Sequence, residues 1–146
     1  LRLGVIAGVY SRFRLDPHIT SKQFVDLYET WVSRCVSGDL ADAVLVYREA
    51  DEIVGFVAIQ LDSADSCASI GLLAVDPAFR GKGIGKSLLS AAINWSFSRR
   101  CTKIKVATQA LNISALSLYQ SVGFERVKSF YEYHIWHKLF AANTQQ

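Results

Sequence analysis

Methionine is absent from this sequence of 146 residues, proline occurs only twice, and cysteine occurs three times. The cysteines, Cys35, Cys67 and Cys101, are odd in number and widely separated along the chain. Such a set forms no disulfide framework and lacks the spacing typical of a zinc site. We therefore predict reduced thiols, no bound metal and a cytoplasmic location.

A large charge imbalance and long apolar runs are also absent. The formal net charge of +3 is well below that of a dedicated nucleic-acid-binding protein. No apolar run approaches the roughly 20 residues that span a bilayer, and no signal-peptide pattern opens the chain. The sequence thus indicates neither a nucleic-acid partner nor a membrane, although its mild positive charge would help to attract an anionic ligand.

The composition is that of a folded domain, since 51% of the residues are hydrophobic and 20% are charged. A chain of this length most simply forms one unit with its own core, so we predict a single domain over residues 1–146. Because the sequence begins at Leu1 and contains no methionine, this domain could be the C-terminal portion of a longer chain.

The hydrophobic pattern changes its period along the chain. Thr20 and Gln23 form a capping box, and the apolar residues after them recur at helical spacing until Gly38. In order, the patterns predict a loop over residues 10–19, a helix over 21–36, strands over 43–49, 53–61 and 67–75, a helix starting near Gly83, a strand over 103–108, a short helix capped by Asn112, and a long strand over 124–139. This order predicts an α/β fold with a mixed sheet, in which an antiparallel meander precedes crossover-connected strands.

The segment FRGKGIGKS (79–87) has the composition of a phosphate-binding loop. A Walker A loop is excluded because its first glycine would fall on Arg80, and a count from Gly81 leaves one residue too few. A dinucleotide-binding fingerprint is excluded because Lys86 stands where a glycine or alanine is required.

The segment still has the general features of an anion site. It joins a strand that ends at Val75 to a helix whose first N–H groups lack intrahelical partners and carry the positive end of the dipole. Glycines let a diphosphate approach these amides closely. Helical glycines cost roughly 1 kcal/mol each, which disfavours the alternative of a glycine-rich turn without a ligand. The predicted anion site comprises Arg80, Gly81, Lys82, Gly83, Ile84, Gly85 and Lys86.

Two motifs, which fall on the predicted order of strands and helices, resemble those of the GNAT N-acetyltransferase superfamily. RGKGIG (80–85) is similar to its acetyl-CoA loop, and NISALSLY (112–119) is similar to the second half of its pattern. The resemblance covers roughly residues 40–137 and implies a GNAT-type acyl-CoA N-acyltransferase fold, with a central mixed sheet flanked by helices. The strand that usually opens this fold has no counterpart before the predicted helix at 21–36, so we expect it to be missing from this chain.

Within the superfamily, IGLLAVDPAFRGKGIG and KVATQALNISALSLYQSVGF look most like segments of bacterial dTDP-fucosamine acetyltransferases, as does Ser11-Arg12-Phe13. Those enzymes acetylate the amine of an amino-deoxysugar nucleotide. The resemblance therefore implies acetyl-CoA as cosubstrate and a small-molecule amine, such as a nucleotide sugar, as acceptor. A homodimer is compatible with it.

The resemblance also implies roles for individual residues. The strand residues Leu73, Ala74 and Val75 would pair with the pantetheine arm, and an amide near Leu73 or Ala74 would face the thioester oxygen. Asn112 would contact the cofactor, although it could equally serve only as a helix cap. Tyr119 would be the general acid that protonates the CoA thiolate, although its apolar stripe also fits a core residue.

The acceptor side is less defined. Arg12 and Arg14 could bind a diphosphate by bidentate contacts, or they could belong to an exposed basic loop. No general base is identified, because Asp62 could be a turn residue and Glu132 could belong to a cross-strand pair. Acetylation of a peptide or protein amine, and a non-catalytic acetyl-CoA-binding module, stay open as alternatives.

Overall fold

The computed structural model describes residues 1–133, and their centre is a four-stranded mixed sheet with the order β1-β2-β3-β4. The strands are β1 (Ala43–Glu49), β2 (Glu52–Asp62), β3 (Cys67–Val75) and β4 (Lys103–Val106). The first three strands form an antiparallel meander, and β4 pairs in parallel with β3. The predicted mixed sheet is confirmed, although β4 ends at Val106 rather than at residue 108.

Five α-helices and one 3₁₀ turn surround the described sheet. They are α1 (Arg2–Ala7), α2 (Arg12–Leu15), α3 (Ser21–Val36), the 3₁₀ turn (Pro77–Phe79), α4 (Ile84–Ser98) and α5 (Ile113–Ser121). The predicted capping box of α3 is confirmed, because Thr20 accepts a hydrogen bond from the Gln23 backbone while the Gln23 side chain accepts one from the Thr20 backbone. Residues 1–42 contain α1 to α3 and no strand, as the sequence led us to expect.

The two faces of the sheet bury two hydrophobic clusters. On β2, Val57 and Ile59 pack with α4, whereas the alternate residues Phe56 and Ala58 pack with α1 and α3. The two longest described helices, α3 and α4, therefore lie on opposite faces of the sheet.

The loop predicted over residues 10–19 is wrong in part, because α2 occupies Arg12–Leu15. Ser11 initiates this turn of helix, since its Oγ accepts a hydrogen bond from the Arg14 backbone N–H at 3.3 Å.

The long strand predicted over residues 124–139 is also wrong in its described part. Residues 124–133 have no regular secondary structure, and Val127 and Tyr131 are each 89% exposed. Such residues favour strands where a partner strand and a buried face are available, and this segment has neither within residues 1–133. Residues 134–139 of the predicted strand lie outside the described residues.

Two predictions drawn from composition can be compared with the structure. Cys35, Cys67 and Cys101 are buried free thiols, as predicted. Within residues 1–133, no helix is both long enough and apolar enough to cross a membrane.

Leu89→Ala should destabilise the fold by about 3 kcal/mol, because Leu89 on α4 has no solvent exposure and its truncation leaves a cavity. Phe97→Ala on the same helix is the matched control, since Phe97 is 50% exposed. We expect the control to cost under about 1 kcal/mol in urea unfolding. Equal losses for the two variants would contradict this description of the core.

Candidate active site

The pairing between β3 and β4 stops in the middle of β3. Their parallel register runs from Cys67 opposite Lys103 to Ile70 opposite Val106. Gly71 is then an extra residue, because Ile70 pairs with Ile59 of β2 while Leu72 pairs with the adjacent Ala58. This β-bulge bends the strand and ends the ladder on one side.

Beyond the bulge, β3 stays paired with β2 from Leu72 to Val75. Within residues 1–133, no strand pairs with its other edge over these four residues. Apart from the Val75 carbonyl, which accepts a hydrogen bond from Arg80, their outward N–H and C=O groups are therefore available to an extended ligand, in the way that sheet edges accept added strands.

The extra residue also changes which side chains face α4. Before Gly71, Ala68 and Ile70 belong to the cluster under α4, whereas after it Leu73 and Val75 do. A strand without a bulge would keep even-numbered residues on one face throughout. The shift turns Leu72 and Ala74 toward α1 and α3 and thus fixes both faces of the open edge.

The glycine segment lies at the end of this edge. Asp76 starts the 3₁₀ turn by accepting a hydrogen bond from the Ala78 backbone N–H at 2.9 Å. Gly81 and Gly83 have φ values of +77° and +80°, a region that disfavours other residues, and a Cβ at either would have no neighbour within 4 Å. Gly83 is the N-cap of α4 and has no side chain to occupy the first N–H groups of the helix.

Gly85 also has a packing role that we did not predict. A Cβ at this position would lie 2.9 Å from Cδ2 of Leu118, so Gly85 allows close packing between α4 and α5. A contact between the Gly85 amide and a phosphate stays a prediction. The close packing brings the residue before Tyr119 against the first turn of α4.

Charged side chains support the loop. The Arg80 Nε donates a hydrogen bond to the Val75 carbonyl at 3.2 Å, and the Lys82 ammonium lies 4.8 Å from the centre of the Phe79 ring. The hydrogen bond from Ala78 and the nearby guanidinium groups of Arg2 and Arg80 hold the pKa of Asp76 below its usual value. Because Arg2 forms an ion pair with it, this carboxylate does not present an uncompensated negative charge beside the loop.

Tyr119 is only 9% exposed and belongs to the cluster under α4, and its ring meets that of Phe124 edge-on at 5.7 Å. Burial raises the pKa of Tyr119 to about 12. The phenol is therefore protonated across the physiological range. Both interpretations from the sequence fit this placement, since the ring is a core residue while the hydroxyl can still act as an acid.

Asn112 caps α5, because its side-chain oxygen accepts a hydrogen bond from the Ala115 backbone N–H at 3.2 Å. A contact with the cofactor, which we also considered, stays a prediction.

The two predicted acceptor-binding arginines contact other protein groups. Arg12 forms an ion pair with Glu132, and its guanidinium lies 4.7 Å from the centre of the Phe13 ring. The Arg14 guanidinium lies 5.6 Å from the centre of the Phe24 ring. An anionic acceptor would have to displace Glu132 to gain a bidentate contact with Arg12.

The sequence analysis missed a polar pocket at the other end of the sheet. A cavity of about 320 Å³ is lined by Gln60, Leu61, Asp62, Ser63, Ser69 and Lys105. Ser69 pairs with Gln60 on one side and with Lys105 on the other, so the three side chains form a row across three strands. The alternation of Lys105 with apolar neighbours is visible in the sequence, but its register with Ser69 is not.

The described residues contain no cluster of three His, Cys, Asp or Glu side chains that could hold a metal ion. The arrangement as a whole combines a free strand edge, an open helix N-terminus and a buried phenol. It can bind an extended ligand with an anionic end and can donate a proton.

Comparison with known proteins matches residues 8–124 to the acetyltransferase (GNAT) family. The spore coat polysaccharide biosynthesis protein SpsD of Bacillus subtilis (strain 168) is 31% identical over 126 residues, covering 86% of this chain and 43% of that protein. The dTDP-fucosamine acetyltransferase of Escherichia coli O6:H1 is 35% identical over 124 residues, covering 84% of this chain and 51% of the enzyme. The chain thus spans about half the length of these relatives.

A solved structure adds a comparison of fold. A Bacillus anthracis (strain Ames) protein described as a streptothricin acetyltransferase, crystallised with acetyl coenzyme A, superposes with a TM-score of 0.52 and 26% identity. The superposition covers 55% of this chain and 45% of that protein.

Tyr119→Phe should change how stability depends on alkaline pH. The folded-state pKa of Tyr119, about 12, is above the ordinary value of 10.0. The buried phenol therefore contributes fully to the free energy of unfolding below pH 10, and this contribution is lost as the pH rises through 12. Between pH 10 and 12, the free energy of unfolding of the unmodified chain should therefore fall further than that of Tyr119→Phe, by on the order of 2 kcal/mol. Denaturant titrations of the two proteins at matched pH measure this, and parallel curves would contradict the burial of the phenol.

Proposed function

The chain belongs to the acetyltransferase (GNAT) family, and on this premise we propose that it transfers the acetyl group of acetyl-CoA to a primary amine of a small molecule. The observation that carries the proposal is the open edge of β3 beyond Gly71, which ends at the glycine segment. A donor with an extended amide-containing arm and a diphosphate needs both features side by side.

The chain has a separate group for each part of the donor. The N–H groups at the start of α4, together with the exposed Lys82 and Lys86, would bind the diphosphate. The exposed edge from Leu72 to Val75 would pair with the pantetheine arm, with an amide of Leu73 or Ala74 donating to the thioester oxygen. These contacts would fix the reactive carbon near Gly71, where the pairing of β3 with β4 ends and a neutral amine can approach it.

In the transfer, the acetyl carbon exchanges its bond to sulfur for a bond to nitrogen. The lone pair of the amine attacks the acetyl carbonyl carbon, a C–N bond forms, and the C–S bond breaks with its electron pair on sulfur. The Tyr119 hydroxyl gives its proton to that sulfur, and the amine nitrogen releases a proton to water, from which Tyr119 is reprotonated. The products are an N-acetyl amide and CoA thiol.

The high pKa of Tyr119 is compatible with this role. Burial raises the pKa of Tyr119 to about 12, and the same desolvation would raise the pKa of a thiol held beside it. The difference between the pKa values of the acid and the leaving thiol would therefore be smaller than the raised pKa of Tyr119 alone suggests. Proton donation is needed only while the C–S bond breaks.

An amino-deoxysugar nucleotide is the acceptor class that we propose. The proposal is supported by 35% identity to a dTDP-fucosamine acetyltransferase and by 31% identity to a polysaccharide biosynthesis protein. Arg12 and Arg14 would contact the nucleotide diphosphate, with Arg12 exchanging its partner Glu132 for a phosphate. The three free thiols support a cytoplasmic site of action.

Gly83→Ala should weaken CoA binding at least tenfold in a calorimetric titration. The new Cβ would strain the N-cap at φ +80° and would project into the open space in front of the first helical amides. Gly38→Ala is the matched control, because Gly38 has φ +88°, also has open space around its Cβ position, and lies just past α3. The two variants should lose similar stability, while only Gly83→Ala should lose affinity. Unchanged affinity in Gly83→Ala would contradict the assignment of the loop.

Tyr119→Phe should lower the turnover number by 10²-fold or more while the dissociation constant for acetyl-CoA changes less than about threefold. The reason is that the hydroxyl acts on the departing sulfur, whereas the ring keeps the packing with Phe124. Tyr131→Phe, at a residue that is 89% exposed, controls for loss of a hydroxyl. Thiol release measured with amino-sugar nucleotides as acceptors tests this, and full turnover in Tyr119→Phe would remove the acid assignment.

A further inference from the structure

The polar pocket lies on the face of the sheet opposite α4. Its row of Gln60, Ser69 and Lys105 alternates with Ile59, Leu61, Ala68, Ile70, Ile104 and Val106, which all belong to the cluster under α4. Because successive side chains of a strand point to opposite faces, the row points away from that cluster. Farther along the same face, Ala58, Leu72 and Ala74 pack under α1 and α3.

The pocket also lies next to the point at which the pairing between β3 and β4 ends. Ser69 and Lys105 directly precede Ile70 and Val106, the last pair of the parallel ladder. A donor held by its diphosphate at the glycine segment would run along the open edge from Val75 toward Gly71. Its reactive end would therefore lie within roughly 7 Å, or two residues of strand, of the pocket row.

Lys105 is the only cation that lines this pocket among the described residues. No described carboxylate lies within ion-pair distance of it, whereas Lys103, on the same face two residues earlier, lies 3.8 Å from Asp65. Arg12 is likewise paired with Glu132. An anionic group that enters the pocket would meet an ammonium group that forms no ion pair within residues 1–133.

The remaining lining favours a hydroxylated ligand. Ser69 contributes a hydroxyl, Gln60 a carboxamide, and Asp62 a carboxylate, one oxygen of which accepts a long hydrogen bond from the Asp65 backbone N–H. Polar groups predominate in the lining, which disfavours an alkyl or aromatic amine. The volume of about 320 Å³ is at the lower end for small-molecule sites and suits one sugar ring better than a whole nucleotide.

We propose that this pocket binds the sugar ring of the acceptor, with the Lys105 ammonium contacting an anionic substituent of the sugar and with Gln60, Asp62 and Ser69 contacting its hydroxyl groups. The inference rests on the proposed acetyl transfer and adds the acceptor subsite to it. Lys105 would then contribute, beside Arg12 and Arg14, to the preference for a sugar phosphate over a neutral amino sugar.

Lys105→Ala tests the proposal with glucosamine 1-phosphate and neutral glucosamine as paired acceptors. At saturating acetyl-CoA, the variant should raise the KM for glucosamine 1-phosphate at least tenfold and change the KM for glucosamine less than twofold. The KM for acetyl-CoA should stay unchanged. Lys105→Arg, which keeps the positive charge, should retain most of the preference for glucosamine 1-phosphate over glucosamine. Lys103→Ala is the matched control and should leave all three values unchanged. Equal effects on both acceptors, or no effect on either, would overturn the role of Lys105.

Binding measurements separate this proposal from the proposed function. Glucosamine 1-phosphate is titrated into the CoA-saturated chain while the amide signals of Ser69 and Lys105 are followed by NMR. Saturable shifts that are lost in Lys105→Ala and kept in Lys103→Ala support the pocket, even if no acetyl transfer is measured. CoA binding and acetyl transfer to another amine, without these shifts, would overturn the pocket and leave the proposed function intact. Sugar binding in the pocket without any CoA binding would overturn the proposed function and leave the pocket intact.

Discussion

A single surplus residue in β3 determines much of this architecture. Because Gly71 has no partner between the pairs that Ile70 and Leu72 make with β2, the strand bends and its parallel ladder with β4 ends. The same insertion exchanges the two faces of the strand, so that residues after it can still complete both cores. An unpaired edge would ordinarily favour aggregation. Here a ligand that pairs with the edge would cover it.

The segment at the end of this edge has the features expected of an anion-binding site. Gly81 and Gly83 adopt positive φ, and the N-cap of α4 has no side chain. The carboxylate of Asp76, which begins the preceding 3₁₀ turn, is paired with Arg2. The close contact of Gly85 with Leu118 connects this segment to α5, which bears Tyr119. The proposed anion binding and proton donation would thus depend on one packed junction between two helices.

Features encoded locally could be predicted from the sequence, whereas features that depend on pairing partners could not. The cap at Thr20, the helix start at Gly83 and the cap at Asn112 each depend on residues within one turn, and all three were placed correctly. The bulge at Gly71 depends on the register of β2, and the row through Lys105 depends on the register of β4. The segment after Phe124 was predicted wrongly because its β-forming residues lack a partner strand in the described part of the chain.

The central claim is that the edge of β3 beyond Gly71 pairs with the arm of the donor. Amide hydrogen exchange followed by NMR, with and without CoA, tests it most directly. The account predicts that CoA slows exchange at outward-facing N–H groups of residues 72–75 and at Ile84 to Lys86, and leaves Cys67 to Ile70, already paired with β4, unchanged. Saturation with CoA that protects a different surface, or that leaves residues 72–75 exchanging at their original rate, would contradict it.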